Sequence, residues 1–414
     1  MSRQVLDEAK RCLQCKNPAC TMGCPIGAPI KEAITLLLDS QLEQAGQLLF
    51  DNNPLALVCS YVCPQENQCE GHCVLGRKGM PIFISEIEKY ISDFYLDVFQ
   101  PMRSSGEKGK IAIIGSGPAG ITIAFILAGM HYDVTIFEGN SHIGGVLRYG
   151  IPEFRLPKSV LDRMVDILYR SGVRIRPNTV IGMNLGIDDL FHDGFRAVFI
   201  GTGVWRPFRL NIRGESLGHV HYAIEYLKSP SEYRLGGSLI IIGAGNVAVD
   251  AARTAVRRGC RDVKIFVHLD ESGITARPGE VEYAKLDGIK FELMKTAVEI
   301  TDKGVMFADS EIYLDETGGK HTRPIPHTET LEEADSVIIA ISQGPRSVIR
   351  SSTTGIAVNP SGLIVVDQVG QSTREGVFAG GDVVMGAKTV VEAVRVAGGV
   401  AIAMDEFVRG KYSD

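Results

Sequence analysis

A six-residue turn, Gly115-Ser116-Gly117-Pro118-Ala119-Gly120, follows the apolar run Ile111-Ala112-Ile113-Ile114 and opens a helical stretch over 118–130. Glycines at these positions permit a tight turn and let a pyrophosphate approach the backbone at a helix N-terminus. Val134-Thr135-Ile136-Phe137 reads as the next strand, and Glu138 at its end stands 23 residues after Gly115, where a carboxylate can accept from a ribose hydroxyl. The same grammar returns at Ser238: strand 239–242, turn Gly243-Ala244-Gly245-Asn246-Val247-Ala248, a helix to Arg258, and strand 263–267. Two such units make the chain α/β, with two Rossmann-like dinucleotide-binding domains.

The last 75 residues return to the style of the first unit. The first nucleotide domain is therefore expected to be discontinuous, with the second inserted into it. Val377-Phe378-Ala379-Gly380-Gly381-Asp382 precedes a helix over 389–404, and Asp382 at this turn either contacts FAD ribityl or phosphate groups or caps the turn.

Nine cysteines are present, and eight fall within the first 73 residues. They read Cys12-x2-Cys15-x4-Cys20-x3-Cys24 and Cys59-x3-Cys63-x5-Cys69-x3-Cys73, with Pro25 and Pro64 after Cys24 and Cys63. Such a cluster in a chain with no secretory leader argues for metal rather than disulfides. Four thiolates suit an iron–sulfur cubane, and four also suit structural zinc. Zinc carries no electrons, so the flavin and nicotinamide motifs downstream favour iron–sulfur. Spacing alone leaves open two tidy groups of four or an interleaved arrangement. Helical patterns surround these cysteines as far as Phe99, and 101–109 reads as a linker.

Apolar residues make up 45% and charged residues 22%, and the net charge is −6 with no basic run, which excludes nucleic acid as a partner class. The longest apolar stretch, 121–130, is half of the roughly twenty residues a bilayer crossing needs. No signal-peptide core follows Met1, so the expected location is cytoplasmic, without membrane insertion.

In the second unit the position equivalent to Glu138 is Val267, followed by His268, Leu269 and Asp270. A 2′-phosphate calls for Arg or Lys there; His268 is a poor substitute at neutral pH and Asp270 repels it. NADH is thus expected over NADPH, with Arg257 and Arg277 as the residues that could still favour NADPH. The ninth cysteine, Cys260, stands alone, which leaves no redox-active pair and reads as a small buried hydrophobe.

Together these residues resemble the glutamate synthase small subunit family, a module also found in dihydropyrimidine dehydrogenase and in the large subunit of NADH-dependent ferredoxin:NADP oxidoreductase. The resemblance rests on Arg11-Cys12-Leu13-Gln14-Cys15-Lys16-Asn17-Pro18, Val62-Cys63-Pro64-Gln65-Glu66, both fingerprints, Tyr149-Gly150-Ile151-Pro152-Glu153-Phe154-Arg155-Leu156-Pro157-Lys158 and the final Gly-Gly-Asp turn. It implies two interleaved [4Fe-4S] clusters: Cys12, Cys15 and Cys20 with Cys73, and Cys24 with Cys63, Cys69 and Glu88, Cys59 being the rival to Glu88. It implies Gly145, Val146, Arg155 and Thr389 near FAD, beside the residues read from the motifs themselves: Gly115, Gly117, Pro118, Ala119, Gly120, Glu138, Gly381 and Asp382. The nicotinamide nucleotide falls to Gly243, Gly245, Asn246, Val247 and His268. Where relatives that use NADPH carry basic residues, this chain has His268, Leu269 and Thr275, and Ser342 stands where a glycine is usual.

The expected organisation is a helical iron–sulfur domain over 1–106, an FAD domain over 107–217 and 334–414, and a nicotinamide domain over 218–333. The expected activity is hydride transfer from NADH, or NADPH, to FAD without an acid–base catalyst, then single-electron transfer through the clusters. The acceptor is a partner redox subunit or ferredoxin, of dihydropyrimidine dehydrogenase, glutamate synthase or bifurcating type, in a hetero-oligomer. A free-standing dehydrogenase with a small acceptor is the alternative.

Overall fold

The computed structural model describes residues 3–315 and 319–412. Two compact units divide the chain. The first runs to Arg148 and adds Glu153–Val204 and the segment from Pro345; the second comprises Tyr149–Pro152 and Trp205–Gly344.

Within the first unit, six α-helices precede residue 99 among the described residues: Arg3–Lys10, Ala19–Gly23, Ile30–Leu38, Leu42–Asn52, Ala56–Val62 and Ile84–Val98. Ile34, Leu37, Leu49, Ile87 and Ile91 build their shared core, and Cys12, Cys20, Cys24 and Cys73 pack against it. Each aliphatic side chain buried this way contributes about 1.5–3 kcal/mol. The cysteines therefore sit at the edge of a packed core.

A five-stranded parallel sheet follows, in the order Val377–Ala379, Phe195–Ile200, Lys110–Ile114, Asp133–Phe137, Arg174–Arg176. Its inner strands read as unbroken apolar runs because both faces are covered. Helix Pro118–Gly129 is apolar on every side because it lies among the sheet and the long helix Val390–Tyr412. That last helix continues past Met404, where the sequence pattern weakens, to Tyr412. The strand Val377–Ala379 brings the C-terminal segment back into the first sheet, which is thus built from separate stretches of the chain. The helical region is fixed to it through packed rings of Phe50, Tyr95, Phe99 and Phe125, with centroids 4.7–5.6 Å apart, and through Arg163, which pairs with Asp93 and Asp97 at 2.6 and 3.0 Å.

The second unit repeats the plan. Its parallel sheet runs Val220–Tyr222, Ser336–Ile339, Ser238–Ile242, Asp262–Val267, Lys290–Leu293. An antiparallel sheet not anticipated from the sequence is built on Gly304–Leu314, which pairs with Lys295–Thr301, Lys320–Pro324 and Thr330–Glu333. Among the described residues no helix is long and apolar enough to cross a membrane.

Candidate cofactor sites

The two fingerprint turns are built alike. Gly115 N–H donates to Phe137 O at 2.8 Å, and Gly243 N–H donates to Phe266 O at 3.1 Å. Both glycines have positive φ, +95° and +138°, and a Cβ at either would fall 2.6 Å from Gly201 O or 2.3 Å from Ala340 O. Only glycine fits there. Gly117 is different: a Cβ on it would meet nothing closer than 4.0 Å, so the backbone ahead of helix Pro118–Gly129 is open to a phosphate. This opening is the fit expected of a dinucleotide.

Glu138 is buried, and both its oxygens are engaged by the chain itself. Oε2 accepts from Ser116 N–H at 3.1 Å and from Ser116 Oγ, and Oε1 accepts from Asn140 N–H and Nδ2 at 2.7 Å. Sequence reasoning named Glu138 but passed over Ser116 and Asn140. Their signal was local: a hydroxyl inside the glycine turn and an amide two residues beyond the acid.

Two other segments reach this turn. Gly144 N–H donates to Ser116 O at 3.0 Å, and a Cβ on Gly145, which precedes Val146, would meet Gly117 Cα at 2.7 Å. Gly381 lies against Ala119, its added Cβ 3.2 Å from the alanine methyl. Next to it, burial pushes the Asp382 carboxyl up to about 6; Lys388 N–H bonds Oδ1 at 3.3 Å, and Glu392 adds like charge. Thr389 caps helix Val390–Tyr412: its N–H and Oγ donate to Glu392 Oε2 at 3.0 and 2.6 Å, and Glu392 N–H returns to Oγ at 3.4 Å. Arg155 is half-buried in the irregular segment before helix Lys158–Arg170.

The thiols separate into two sets. Cys12, Cys15, Cys20 and Cys73 line one pocket together with Leu13 and Lys31. Burial raises the Cys12 and Cys20 thiols above the ordinary range, and each also feels Cys73. Gln14, between Cys12 and Cys15, turns the loop with φ +49°, and its Oε1 accepts from Thr35 Oγ at 3.1 Å.

Cys24, Cys59, Cys63, Cys69 and Glu88 form the second set. Burial raises Cys24, with Glu88 and Cys59 adding; Cys59 raises Cys63, with burial and Glu88 adding; burial raises Cys69, with Glu88, Glu70 and Cys24 adding. Burial, with Glu70 adding, pushes the Glu88 carboxyl up to about 8. Cys59 and Cys63, one helical turn apart, pack with Val391 against Ile26 and Val390, directly after Thr389. The first set is four neighbouring thiols, which are soft donors, and the second joins four thiols to one carboxylate. Among the described residues no three His, Cys, Asp or Glu side chains are close enough to hold a single metal ion.

In the second unit, Thr275 and Ala276 N–H both donate to Ala244 O at 3.0 Å, and Arg277 N–H donates to Asn246 Oδ1 at 2.9 Å. Asn246 thus straps the fingerprint turn to the segment before helix Pro278–Leu286, and Val247 packs on the core. His268 follows strand Asp262–Val267 directly and desolvation lowers its pKa, so it carries no charge at neutral pH. Asp270 accepts from Ser272 N–H at 3.0 Å and lies 3.6 Å from Lys320. Arg257 pairs with Asp287 at 2.7 Å. Cys260 is buried in the core, its thiol 3.4 Å from Gly236 O.

Residues 1–98 match the family profile described as dihydropyrimidine dehydrogenase domain II, 4Fe-4S cluster, and residues 109–398 match pyridine nucleotide-disulphide oxidoreductase. The chain is 30% identical to the glutamate synthase [NADPH] small chain of Escherichia coli K12, covering 94% of this chain and 89% of that one. It is 31% identical to the NAD-dependent dihydropyrimidine dehydrogenase subunit PreT of the same organism, over 99% and 95% of the two chains. Among solved structures, FprA of Mycobacterium tuberculosis in complex with NADPH superposes with a TM-score of 0.64 at 17% identity, covering 73% of this chain and 85% of FprA. Thioredoxin reductase of T. acidophilum gives 0.54 at 20% identity, over 72% and 97% of the two chains. These two likenesses establish the fold of the part of the chain they cover.

Proposed function

This chain belongs to the glutamate synthase small-subunit family of pyridine nucleotide-disulphide oxidoreductases, and from that premise we propose that it is the electron-input subunit of a larger enzyme, moving electrons from NADH by way of FAD and two [4Fe-4S] clusters to a partner redox subunit. That it is an NAD(P)H oxidoreductase with FAD and iron–sulfur follows from the family. The donor, the number of clusters and the partner are the finer reading.

The observation that carries it is the division of the cysteines into two interleaved sets, one of them packed against Val390 and Val391 beside Thr389. Cys12, Cys15, Cys20 and Cys73 would hold one cluster, and Cys24, Cys63, Cys69 and Glu88 the other. Glu88 is preferred to Cys59 on the family resemblance, and it is among the groups that raise Cys24, Cys63 and Cys69. Cys59 and Cys63 pack on Val391, in the helix that also packs on helix Pro118–Gly129 after the flavin-type turn, and we infer that electrons leave through the Cys12 set.

FAD, when bound, supplies the exchange between two-electron and one-electron chemistry. The chain's residues position it: Gly117 leaves room for phosphate, Glu138 orients the turn through Ser116, and Gly145 and Gly381 let neighbouring loops close on it. No side chain is required as acid or base, since hydride transfer depends on orientation and exclusion of water. An uncharged His268 beside Asp270 favours NADH. A hetero-oligomer in the cytoplasm fits this reading.

Anaerobic purification with its partners, followed by counts of iron, sulfide and flavin, tests the proposal. About eight iron and one FAD are expected for two cubanes, with NADH bleaching the flavin faster than NADPH and generating reduced-cluster EPR signals. Zinc in place of iron, or a bleached flavin with silent clusters, would overturn it.

A further inference from the structure

Exposed apolar side chains stand on the segments that line the pocket of Cys12, Cys15, Cys20 and Cys73, which takes Leu13 from one and Ile82 and Ile84 from the other. Leu13, which lines it, is 60% exposed, and Met80 and Phe83 are 61% and 42% exposed. Arg11 joins the two segments concerned, donating to Met80 O at 2.6 Å and Pro81 O at 3.2 Å, while Phe83 N–H donates to Glu8 Oε1 at 2.9 Å. The segments that carry Leu13, Met80 and Phe83 are therefore held side by side.

Charge on these segments runs against the rest of the chain. Segments 11–31 and 71–83 carry Arg11, Lys16, Lys31, Arg77 and Lys78 and no Asp or Glu, in a protein of net charge −6. Lys16, Arg77 and Lys78 are exposed. Of the bordering acids, Glu8 pairs with Arg11 at 2.5 Å, and Glu70 accepts from Ser85 N–H and Oγ at 2.8 and 2.6 Å; Glu32 stays exposed beside Lys31. An apolar centre with a ring of one charge is the pattern of a protein interface, and the ring selects a partner of opposite sign and speeds encounter.

We propose that the face of Leu13, Met80 and Phe83, ringed by Lys16, Arg77 and Lys78, is the docking surface for an acidic one-electron carrier protein. This rests on the reading that electrons leave through the Cys12 set. One electron passes per encounter: the chain is oxidised by one electron, the carrier's oxidised centre is reduced, and no proton moves. Docking here places the carrier against Leu13, which lines the pocket of that set.

An acidic [4Fe-4S] ferredoxin is the probe, with cytochrome c as a basic counterpart, and binding is measured on the iron-loaded protein at low and high salt. The Lys16→Glu/Arg77→Glu/Lys78→Glu variant is expected to weaken ferredoxin binding at low salt by about tenfold or more, flatten its salt dependence and improve binding of cytochrome c. Met80→Ser/Phe83→Ser is expected to weaken binding at both salt concentrations. Iron content and the rate of flavin bleaching by NADH serve as controls and stay unchanged. Ferredoxin affinity and salt slope that ignore the charge reversal would overturn the docking surface. Clusters left oxidised by NADH in the unaltered protein would instead overturn the electron-input reading.

Discussion

Ser116 and Glu138 are joined twice: the backbone N–H and the hydroxyl of Ser116 both donate to Glu138 Oε2. The pair ties the fingerprint turn to the end of the neighbouring strand, in a site where Glu138 is only 5% exposed. Glu138→Gln keeps the shape but sets an NH2 group against one pair of donors. Leaving such groups unsatisfied costs about 1–3 kcal/mol. The variant is expected to melt several degrees lower and to lose FAD on gel filtration; full flavin occupancy and an unchanged Tm would count against this role.

Nucleotide choice turns on the residue after strand Asp262–Val267. His268 is neutral because desolvation lowers its pKa, and Arg257 is committed to Asp287. His268→Arg/Leu269→Arg supplies two fixed charges for a 2′-phosphate, each charge-assisted hydrogen bond contributing about 1.5–3 kcal/mol. The ratio of flavin bleaching rates, NADPH over NADH, should rise at least about tenfold. A ratio that does not move would place nucleotide selection elsewhere.

Ser342 holds φ +85°, a left-handed backbone, and its carbonyl accepts from Phe208 N–H at 3.1 Å. A side chain in this region costs about 1 kcal/mol that glycine avoids. Ser342→Gly should therefore stabilise the protein by up to that amount in urea titration, with nucleotide preference unchanged. A destabilised variant would mean that the Ser342 side chain makes a compensating contact.

Burial holds the Asp382 carboxyl near pH 6, against an ordinary 3.8. The folded protein thus binds this proton more tightly than the unfolded chain. That contribution is complete below pH 3.8 and is lost as pH rises through about 6. Asp382→Asn keeps an acceptor for Lys388 N–H, so the flavin-free variant should match the unaltered protein at pH 4 and exceed it at pH 7.5 by about 2 kcal/mol. Equal differences at the two pH values would show that Asp382 is not the titrating group.

Both nucleotide units were legible in the sequence because Gly115 and Gly243 answer a local need: a positive φ with a carbonyl where a Cβ would be. Continuous strands such as Ile111–Ile114 were legible for a similar reason, since burial on both faces leaves no polar alternation. The capping box Thr389-Val390-Val391-Glu392 was equally readable, yet Thr389 was assigned only to the flavin. The antiparallel sheet on Gly304–Leu314 was hidden because its burial changes along the strand from covered to exposed. Cysteine partition was beyond spacing, since bringing Cys73 to Cys12 depends on how the helices around them pack.

Glu88 and Cys59 compete for one position, and the two substitutions separate them. Cys59 lies within helix Ala56–Val62, packed with Val391, whereas Glu88 on helix Ile84–Val98 is among the groups that raise Cys24, Cys63 and Cys69. A cubane iron without its fourth protein ligand is the one most readily lost. Glu88→Ala should therefore lower the iron content by about one of eight and produce the EPR signal of a three-iron cluster. Cys59→Ala should keep all the iron, because its side chain packs beside the set without completing it. The reverse pattern, iron lost from Cys59→Ala and retained in Glu88→Ala, would transfer the ligand role to Cys59 and leave Glu88 as a buried acid beside an all-cysteine site.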